Sequence, residues 1–118
     1  PADQTADSAR LTGFSSATRR LILDRSGGVC ERCGVRPVEA LHHRRPRGMS
    51  GSRRADTNTP ANCLASCNEC HLYIESNRTE ALEMGWLVRQ GHDPEHVPVM
   101  YRGMGLVQLH PDGAITYY

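Results

Sequence analysis

The sequence is poor in large aromatic side chains. It contains one phenylalanine, one tryptophan and four tyrosines in 118 residues, and 38% of its residues are hydrophobic. The core of this single small domain must therefore be modest, and a core of this size usually needs a metal ion or disulfides for stability. Aromatic residues are also scarce near the polar motifs of the chain, so platforms that stack the bases of a single-stranded nucleic acid are not indicated.

Long hydrophobic runs are absent as well. No stretch approaches the ~20 apolar residues that a membrane-spanning helix needs, and residues 1–13 (PADQTADSARLTG) lack the apolar centre of a signal peptide. We expect residues 1–13 to form a flexible arm and the protein to be cytoplasmic, with no membrane partner. Thiols stay reduced in that compartment, so paired cysteines more often bind a metal there than form disulfides.

Lysine is missing altogether, because all 14 basic residues are arginine. The formal net charge of +1 says little about partners, but the charge is unevenly distributed. One eleven-residue window without any acidic residue contains five arginines: Arg44, Arg45, Arg47, Arg53 and Arg54. We interpret this window as a positive patch that contacts the phosphates of a nucleic acid. The alternative is a solvated loop.

Segments with helix signals and segments with strand signals share the chain, which favours an α+β fold. The predicted elements are, in order, a helix over 15–26, a strand over 36–43, a strand over 62–66, and helices over 68–76 and 78–84. The tail is rich in β-branched residues and tyrosine, and we expect a β-hairpin or small sheet with a turn at 110–113. We divide the chain into the arm, a core over 14–91 and a C-terminal β extension of the same domain over 92–118.

Two pairs of cysteines give the strongest signal in the sequence. Two residues separate the members of each pair, a spacing that lets both sulfurs reach one tetrahedral ion, and the four residues are Cys30, Cys33, Cys67 and Cys70. A closed site of four cysteines is typical of a structural zinc ion, which would supply the stabilisation that the small core lacks. The alternatives are two disulfides or free buried thiols. The fifth cysteine, Cys63, is expected to be a small buried hydrophobic residue.

Three histidines lie within or beside the span that the cysteine pairs enclose. His42 and His43 are adjacent and would face opposite sides of a strand, although a strand end can bring both to one site. His71 directly follows Cys70, so a bound zinc ion would hold it rigidly in place. Glu75 lies one helical turn after His71 and could add a carboxylate to a metal bound there. The alternatives are a solvated surface glutamate and a histidine without a role.

Three segments carry a family resemblance: CERC (30–33), ALHHRRPRG (40–48) and NTPANCLASCNECH (58–71). Together they resemble the zinc-stapled branch of the HNH endonuclease family. The resemblance covers the chain from about Cys30 to Glu75. It rests on an ordered set of residues, namely the paired cysteines, the two adjacent histidines, Pro46, Asn62 and His71.

The resemblance implies a small ββα-metal, treble-clef-like core that holds one catalytic divalent ion. It also implies a role for each matched residue. His43 would be the general base, and His42 and His71 would be ligands of the catalytic metal. Asn62 would hold the loop that positions His43, although an ordinary turn asparagine is the alternative on sequence alone.

These residue types suit the hydrolysis of a phosphodiester bond. A neutral imidazole, with an ordinary pKa of ~6.5, can take a proton from water at neutral pH. A divalent ion with open positions can bind the phosphate and the leaving oxygen, and a His-rich site accepts Mg²⁺, Mn²⁺, Ni²⁺ or Zn²⁺. We therefore predict a metal-dependent endonuclease that nicks or cleaves double-stranded DNA with little sequence preference. The alternatives are a non-catalytic zinc module that binds DNA or a protein, and an assembly protein that docks through its C-terminal hairpin.

Overall fold

The structure is a computed structural model that describes residues 13–47 and 54–118. These ranges contain three α-helices, two 3₁₀ turns and two small antiparallel sheets, so the predicted α+β fold is confirmed. The arm predicted for residues 1–13 lies almost wholly outside the described residues, as does Arg53. In the described part of the chain no helix combines the length and the apolar character of a membrane span. The cytoplasmic location stays a prediction.

Helix α1 spans Ser16–Ser26, as the sequence predicts, because both of its ends carry capping residues. The hydroxyl of Ser15 accepts a hydrogen bond from a backbone N–H of the first turn (3.1 Å). Gly27 ends the helix with a φ of 66°, in the left-handed region that glycine adopts without strain. The buried side chain of Ile22 joins a small hydrophobic cluster that includes Ala65, and this contact fixes α1 against the central part of the chain.

Strands β1 (Ala40–His43) and β2 (Cys63–Ser66) form a two-stranded antiparallel sheet. His43 pairs with Cys63, so the loop that joins the strands begins directly after the two adjacent histidines. Strand β1 is shorter than the predicted 36–43, because Pro37 makes an isolated bridge to Val29 and does not continue the ladder. This bridge closes the turn that contains the first cysteine pair.

One residue separates β2 from helix α2 (Asn68–Ser76), and one residue separates α2 from helix α3 (Arg78–Glu83). Both helices lie where the sequence predicts them. Gly85 then reverses the chain with a φ of 76°, and a Cβ atom at this position would collide with the carbonyl of Pro98. The short connections leave α2 little freedom relative to β2, and the ring centroids of His42 in β1 and His71 in α2 lie 5.3 Å apart.

The C-terminal sheet contains β3 (Val99–Met100), β4 (Leu106–Leu109) and β5 (Ile115–Tyr117), hydrogen-bonded in that order. Strands β4 and β5 form a hairpin around the predicted turn at 110–113, and the addition of β3 makes it a small sheet, the second of the two predicted forms. The main hydrophobic core combines residues of both sheets and both later helices: Leu64, Ile74, Ala81, Trp86, Leu87, Val99, Tyr101, Val107 and Leu109. The C-terminal strands therefore complete the core. The boundary placed between residues 91 and 92 stays a prediction.

A buried carboxylate in the first cysteine turn joins that turn to three other parts of this fold. Glu31 is fully buried, and its oxygens accept two hydrogen bonds from the Arg25 guanidinium (2.8 and 2.7 Å), one from the Tyr101 hydroxyl (2.7 Å) and one from the Ala65 backbone N–H (2.8 Å). The carboxylate therefore accepts four hydrogen bonds, which is its full capacity. The pair connects α1, the first cysteine turn, β2 and the C-terminal sheet.

We expect Glu31→Ala to lower the free energy of unfolding by about 3–5 kcal/mol, since it leaves the Arg25 charge and two further donors buried without their acceptor. Urea unfolding followed by circular dichroism measures this change. The matched control is Glu83→Ala, which removes an exposed carboxylate and should cost no more than about 0.5 kcal/mol. Equal costs for the two substitutions would contradict the role of the buried pair.

Candidate metal centres and active site

The four paired cysteines meet at one point of the structure. Their sulfur atoms all lie within 4.8 Å of one another, and the residues are Cys30, Cys33, Cys67 and Cys70. Four sulfurs bound to one zinc ion at ~2.3 Å stand ~3.8 Å apart, so this cluster fits a tetrahedral zinc site. All five cysteines are free thiols, which excludes the two disulfides considered as an alternative. The cluster joins the turn before β1 to the junction between β2 and α2.

Hydrogen-bond donors around the sulfurs favour the negatively charged thiolates that bind a cation. In each pair the backbone N–H of the second cysteine donates to the sulfur of the first, at 3.5 Å for Cys30 and 3.4 Å for Cys67. Arg32 donates from Nη1 to the sulfur of Cys70 at 3.2 Å. The guanidinium of Arg32 also stacks on the rings of Tyr73 and Trp86, at 3.9 and 4.4 Å from their centroids. A positive charge is thus held beside thiolates that carry excess negative charge when they bind zinc.

Cys63 takes no part in this cluster. It is fully buried among Phe14, Ile22 and Ala65, and burial raises the pKa of its thiol. The prediction that Cys63 is a small buried hydrophobic residue is confirmed.

A second cluster, of His42, His71 and Glu75, lies close to the sulfur cluster along the chain. Each of the three offers one ligand atom, and these atoms also lie within 4.8 Å of one another. His42 comes from β1, and the other two lie one turn apart on α2. Nitrogen and carboxylate ligands in this number leave open positions on a divalent ion, so the residues present fit a catalytic metal.

The hydrogen bond of His42 decides which of its two ring nitrogens is free to bind a metal. Nε2 lies 2.9 Å from the backbone oxygen of Trp86, which can only accept, so Nε2 carries the proton and Nδ1 keeps its lone pair. Burial lowers the pKa of His42 to about 4, although the hydrogen bond to Trp86 opposes this effect. His42 is therefore neutral at neutral pH, the form in which histidine binds a metal.

His43 ends β1 and faces the same cleft as the metal-binding cluster. The open cleft has a volume of about 510 Å³ and is lined by Leu41, His42, His43, Pro46, Arg47, His71 and Glu75. The ring of Phe14 stacks on His43 with centroids 4.2 Å apart and planes 14° apart. Nε2 of His43 lies 2.9 Å from Oδ1 of Asn58. Burial lowers the pKa of His43, although the hydrogen bond to Asn58 opposes this effect, so the ring favours its neutral form.

Asn62 is fully buried at the base of the loop between β1 and β2. Its Oδ1 accepts from the Arg45 backbone N–H (2.7 Å), and its Nδ2 donates to the carbonyls of Arg45 (3.0 Å) and Thr57 (2.8 Å). One amide therefore ties together the two ends of the loop that leaves His43.

Two of the five arginines predicted to contact phosphates are buried, and the prediction is wrong for them. Arg44 is 0% exposed, and its guanidinium donates to four backbone carbonyls, those of Ala61, Gly85, Pro94 and Val97. Arg45 is 1% exposed and forms an ion pair with Asp56, the first acidic residue after the window. Carbonyl groups in turns have no partner within a helix or a sheet, and these two guanidinium groups donate hydrogen bonds to such carbonyls.

The remaining arginines of the window have different surroundings. Arg47 is partly exposed and lines the cleft beside His43. Arg54 is exposed and donates to the backbone oxygen of Gln90 (2.6 Å) at the base of the loop. Arg53 lies outside the described residues. Among the described residues Arg47 thus lines the cleft, Arg54 lies further along the loop, and the exposed Arg78 pairs with Glu75 of the cleft at 3.2 Å.

Phe14 and Asn58 surround His43, and the sequence did not single out either residue. Phe14 lies 29 positions before His43 and Asn58 lies 15 positions after it. No spacing rule connects residues this far apart. Phe14 is the only phenylalanine of the chain, which is the one feature that could have drawn attention to it.

Comparisons with known proteins give one informative relative. No family model matches this chain, and no solved structure matches it. The type IV methyl-directed restriction enzyme EcoKMcrA of Escherichia coli (strain K12) is 34% identical to this chain over an alignment of 74 residues in length, and the alignment covers 53% of this chain and 25% of that protein. The chain thus spans about a quarter of the length of the curated relative it matches.

Proposed function

We propose that this chain is a metal-dependent endonuclease that hydrolyses phosphodiester bonds of double-stranded DNA with little sequence preference. One observation carries the proposal. Three potential metal ligands, a neutral histidine beside them and an arginine line a single open cleft. The similarity to a restriction enzyme supports DNA as the substrate.

We further propose that β1, β2 and α2 form a ββα-metal unit held by structural zinc. The support is the position of the sulfur cluster relative to the cleft. Cys67 and Cys70 lie at the start of α2, and His71 is the next residue of that helix. A zinc ion bound by the four cysteines would fix the start of α2 against the turn before β1, and so would fix His71 relative to His42.

The divalent ion would be held by Nδ1 of His42, by His71 and by Glu75. When bound, it would supply positive charge next to the scissile phosphate and the leaving oxygen. Mixed imidazole and carboxylate ligands accept Mg²⁺, Mn²⁺, Ni²⁺ or Zn²⁺. His71 and Glu75 already lie on the same face of α2, with Nε2 and Oε1 3.9 Å apart.

His43 would act as the general base. A water oxygen attacks phosphorus, the proton of that water moves to His43, and the bond between phosphorus and the leaving oxygen breaks. The leaving oxygen takes its proton from solvent water. Asn62 would keep the loop, and with it His43, in place through its bonds to residues 45 and 57. Arg47 and Arg54 would neutralise neighbouring phosphates.

Conversion of supercoiled plasmid with and without added divalent metal tests the proposal. We expect His43→Ala to reduce the rate by about 10²–10⁴-fold, because the general base is lost. His96→Ala is the matched control, since His96 is 70% exposed and does not line the cleft, and it should cleave at the wild-type rate. Wild-type cleavage by His43→Ala would refute the assignment. The ratio of nicked to linear product reports how many strands are cut.

The same assay separates the enzyme from a non-catalytic zinc module. The four-cysteine cluster and the exposed arginines would serve a binding protein equally well. Such a protein would retain the plasmid in a gel-shift experiment and leave it supercoiled with every divalent metal. It would also tolerate His43→Ala without a change in DNA affinity.

A further inference from the structure

We propose that Asn58 is a positioning residue for His43, and that Phe14 restrains the same imidazole ring from one face. Asn58 would hold the Nε2 proton of the neutral imidazole, so that Nδ1 is the nitrogen that accepts a proton from water. This inference rests on the proposed function, because it assigns the basic nitrogen of the proposed general base.

The contact between His43 and Asn58 has the geometry of a strong neutral hydrogen bond. Oδ1 of Asn58 lies 2.9 Å from Nε2 of His43. A carbonyl oxygen only accepts, and a neutral imidazole carries one N–H, so this bond places the proton on Nε2. The lone pair then belongs to Nδ1, which is the only ring nitrogen left for proton transfer.

The backbone on both sides of Asn58 is fixed, and this limits the positions that its side chain can take. The carbonyl of Thr57 accepts a hydrogen bond from Nδ2 of Asn62 (2.8 Å). The carbonyl of Thr59 accepts from the Asn62 backbone N–H (3.0 Å), and the Thr59 hydroxyl donates to the carbonyl of Asp56 (3.0 Å). Asn62, which the resemblance singled out, thus stabilises Asn58 as well as the ends of the loop.

Phe14 restrains the ring of His43 from one face. Phe14 is fully buried, and its ring lies nearly parallel to that of His43 at 4.2 Å. The preceding residue, Gly13, has a φ of 88°, and a Cβ atom there would stand 2.7 Å from Oδ1 of Asn58. Glycine at this position therefore lets the chain bring Phe14 against His43 without disturbing Asn58.

A wrong tautomer or a rotated ring lowers the fraction of enzyme that can accept the proton, and it leaves DNA binding unchanged. Asn58→Leu keeps the approximate shape of the side chain and removes the acceptor. We expect it to lower kcat by about 10–100-fold, with little change in KM for a duplex oligonucleotide. Asn58→Asp keeps an acceptor at the same place and should recover most of kcat, when assayed at about pH 8 so that the histidine is mostly neutral. A purely structural role would not produce this split between kcat and KM.

Nuclear magnetic resonance gives a readout that does not depend on activity. The chain with zinc bound is labelled with ¹⁵N in its histidine rings, and His43→Ala identifies the signals of His43. We expect the wild type to show the pattern of a neutral ring protonated at Nε2, and Asn58→Leu to show a mixture of both tautomers. The wild-type spectrum decides the question even where Asn58→Leu fails to fold.

Three results would overturn the inference: a proton on Nδ1 of His43 in the wild type, wild-type kcat in a folded Asn58→Leu variant, or equal losses in Asn58→Leu and Asn58→Asp. Failure of the proposed function looks different. In that case His43→Ala itself cleaves plasmid at the wild-type rate, whatever the Asn58 variants do.

Discussion

Removal of the metal from the four-cysteine cluster is expected to unfold the protein. The sulfurs connect the turn before β1 to the start of α2, and a small core with one phenylalanine and one tryptophan usually needs such a connection for stability. Structural zinc contributes ~10–16 kcal/mol in small zinc domains. A domain of this size has a total stability of ~5–15 kcal/mol, so loss of the metal removes most or all of it.

Far-ultraviolet circular dichroism before and after chelation measures this effect. We expect the helical signal to fall strongly with the chelator and to return when zinc is added back. Two cysteine substitutions provide a matched pair. Cys70→Ala removes a sulfur of the cluster and should behave like the chelated protein, whereas Cys63→Ala removes a buried sulfur outside it and should remain folded. A metal-free protein with its full helical signal would refute the stabilising role of zinc.

Arg44→Ala is also expected to destabilise the protein strongly. The guanidinium donates to four carbonyls, and one of them, that of Pro94, also accepts from the Val97 backbone N–H. Each buried carbonyl that loses its partner costs ~1–3 kcal/mol. Burial lowers the pKa of Arg44 to about 9, so the group is still charged at neutral pH and all its donors remain available. We expect a loss of at least about 3 kcal/mol in the free energy of unfolding. Urea unfolding checks this value.

Arg47→Ala is the matched control for this substitution, because it changes the same residue type three positions later, in the cleft. It should cost about 1 kcal/mol or less in stability. It should instead weaken DNA binding and reduce the dependence of binding on salt, since a phosphate contact releases counterions. The opposite order, with Arg47→Ala the less stable variant and Arg44→Ala the weaker DNA binder, would contradict the structural role of Arg44.

The arginine window shows how far a charge pattern can be used. The sequence shows five arginines without a nearby acid, and this pattern is the same for a phosphate-binding loop and for a loop whose arginines bond to the backbone. The acceptors of Arg44 come from residues 17, 41, 50 and 53 positions away. No local sequence pattern indicates these acceptors. Composition alone therefore overestimated the positive surface beside the cleft.

The candidate metal ligands show the opposite case, because the sequence predicted correctly which of them lie together. Spacing correctly grouped the four cysteines, which the structure brings within 4.8 Å of one another. It also placed His71 directly after the cluster and Glu75 one turn later, and the structure brings both beside His42. The separations within each cysteine pair, from Cys70 to His71 and along α2 are short, so local geometry decides them. The meeting of the two pairs across 33 residues was predicted from the chemistry of a four-cysteine site, and that of His42 with His71 from the family resemblance.

By itself, the sequence determined the helices, the main strands, the paired cysteines and the candidate metal ligands. These features depend on caps, turns and spacings within a few residues, where the geometry of the chain leaves few alternatives. Only the tertiary structure decided which arginines are buried, that the carbonyl of Trp86 directs His42, and that Asn58 and Phe14 enclose His43. The physical reason is that a buried polar group must find a partner, and packing brings that partner from whichever distant segment lies against it.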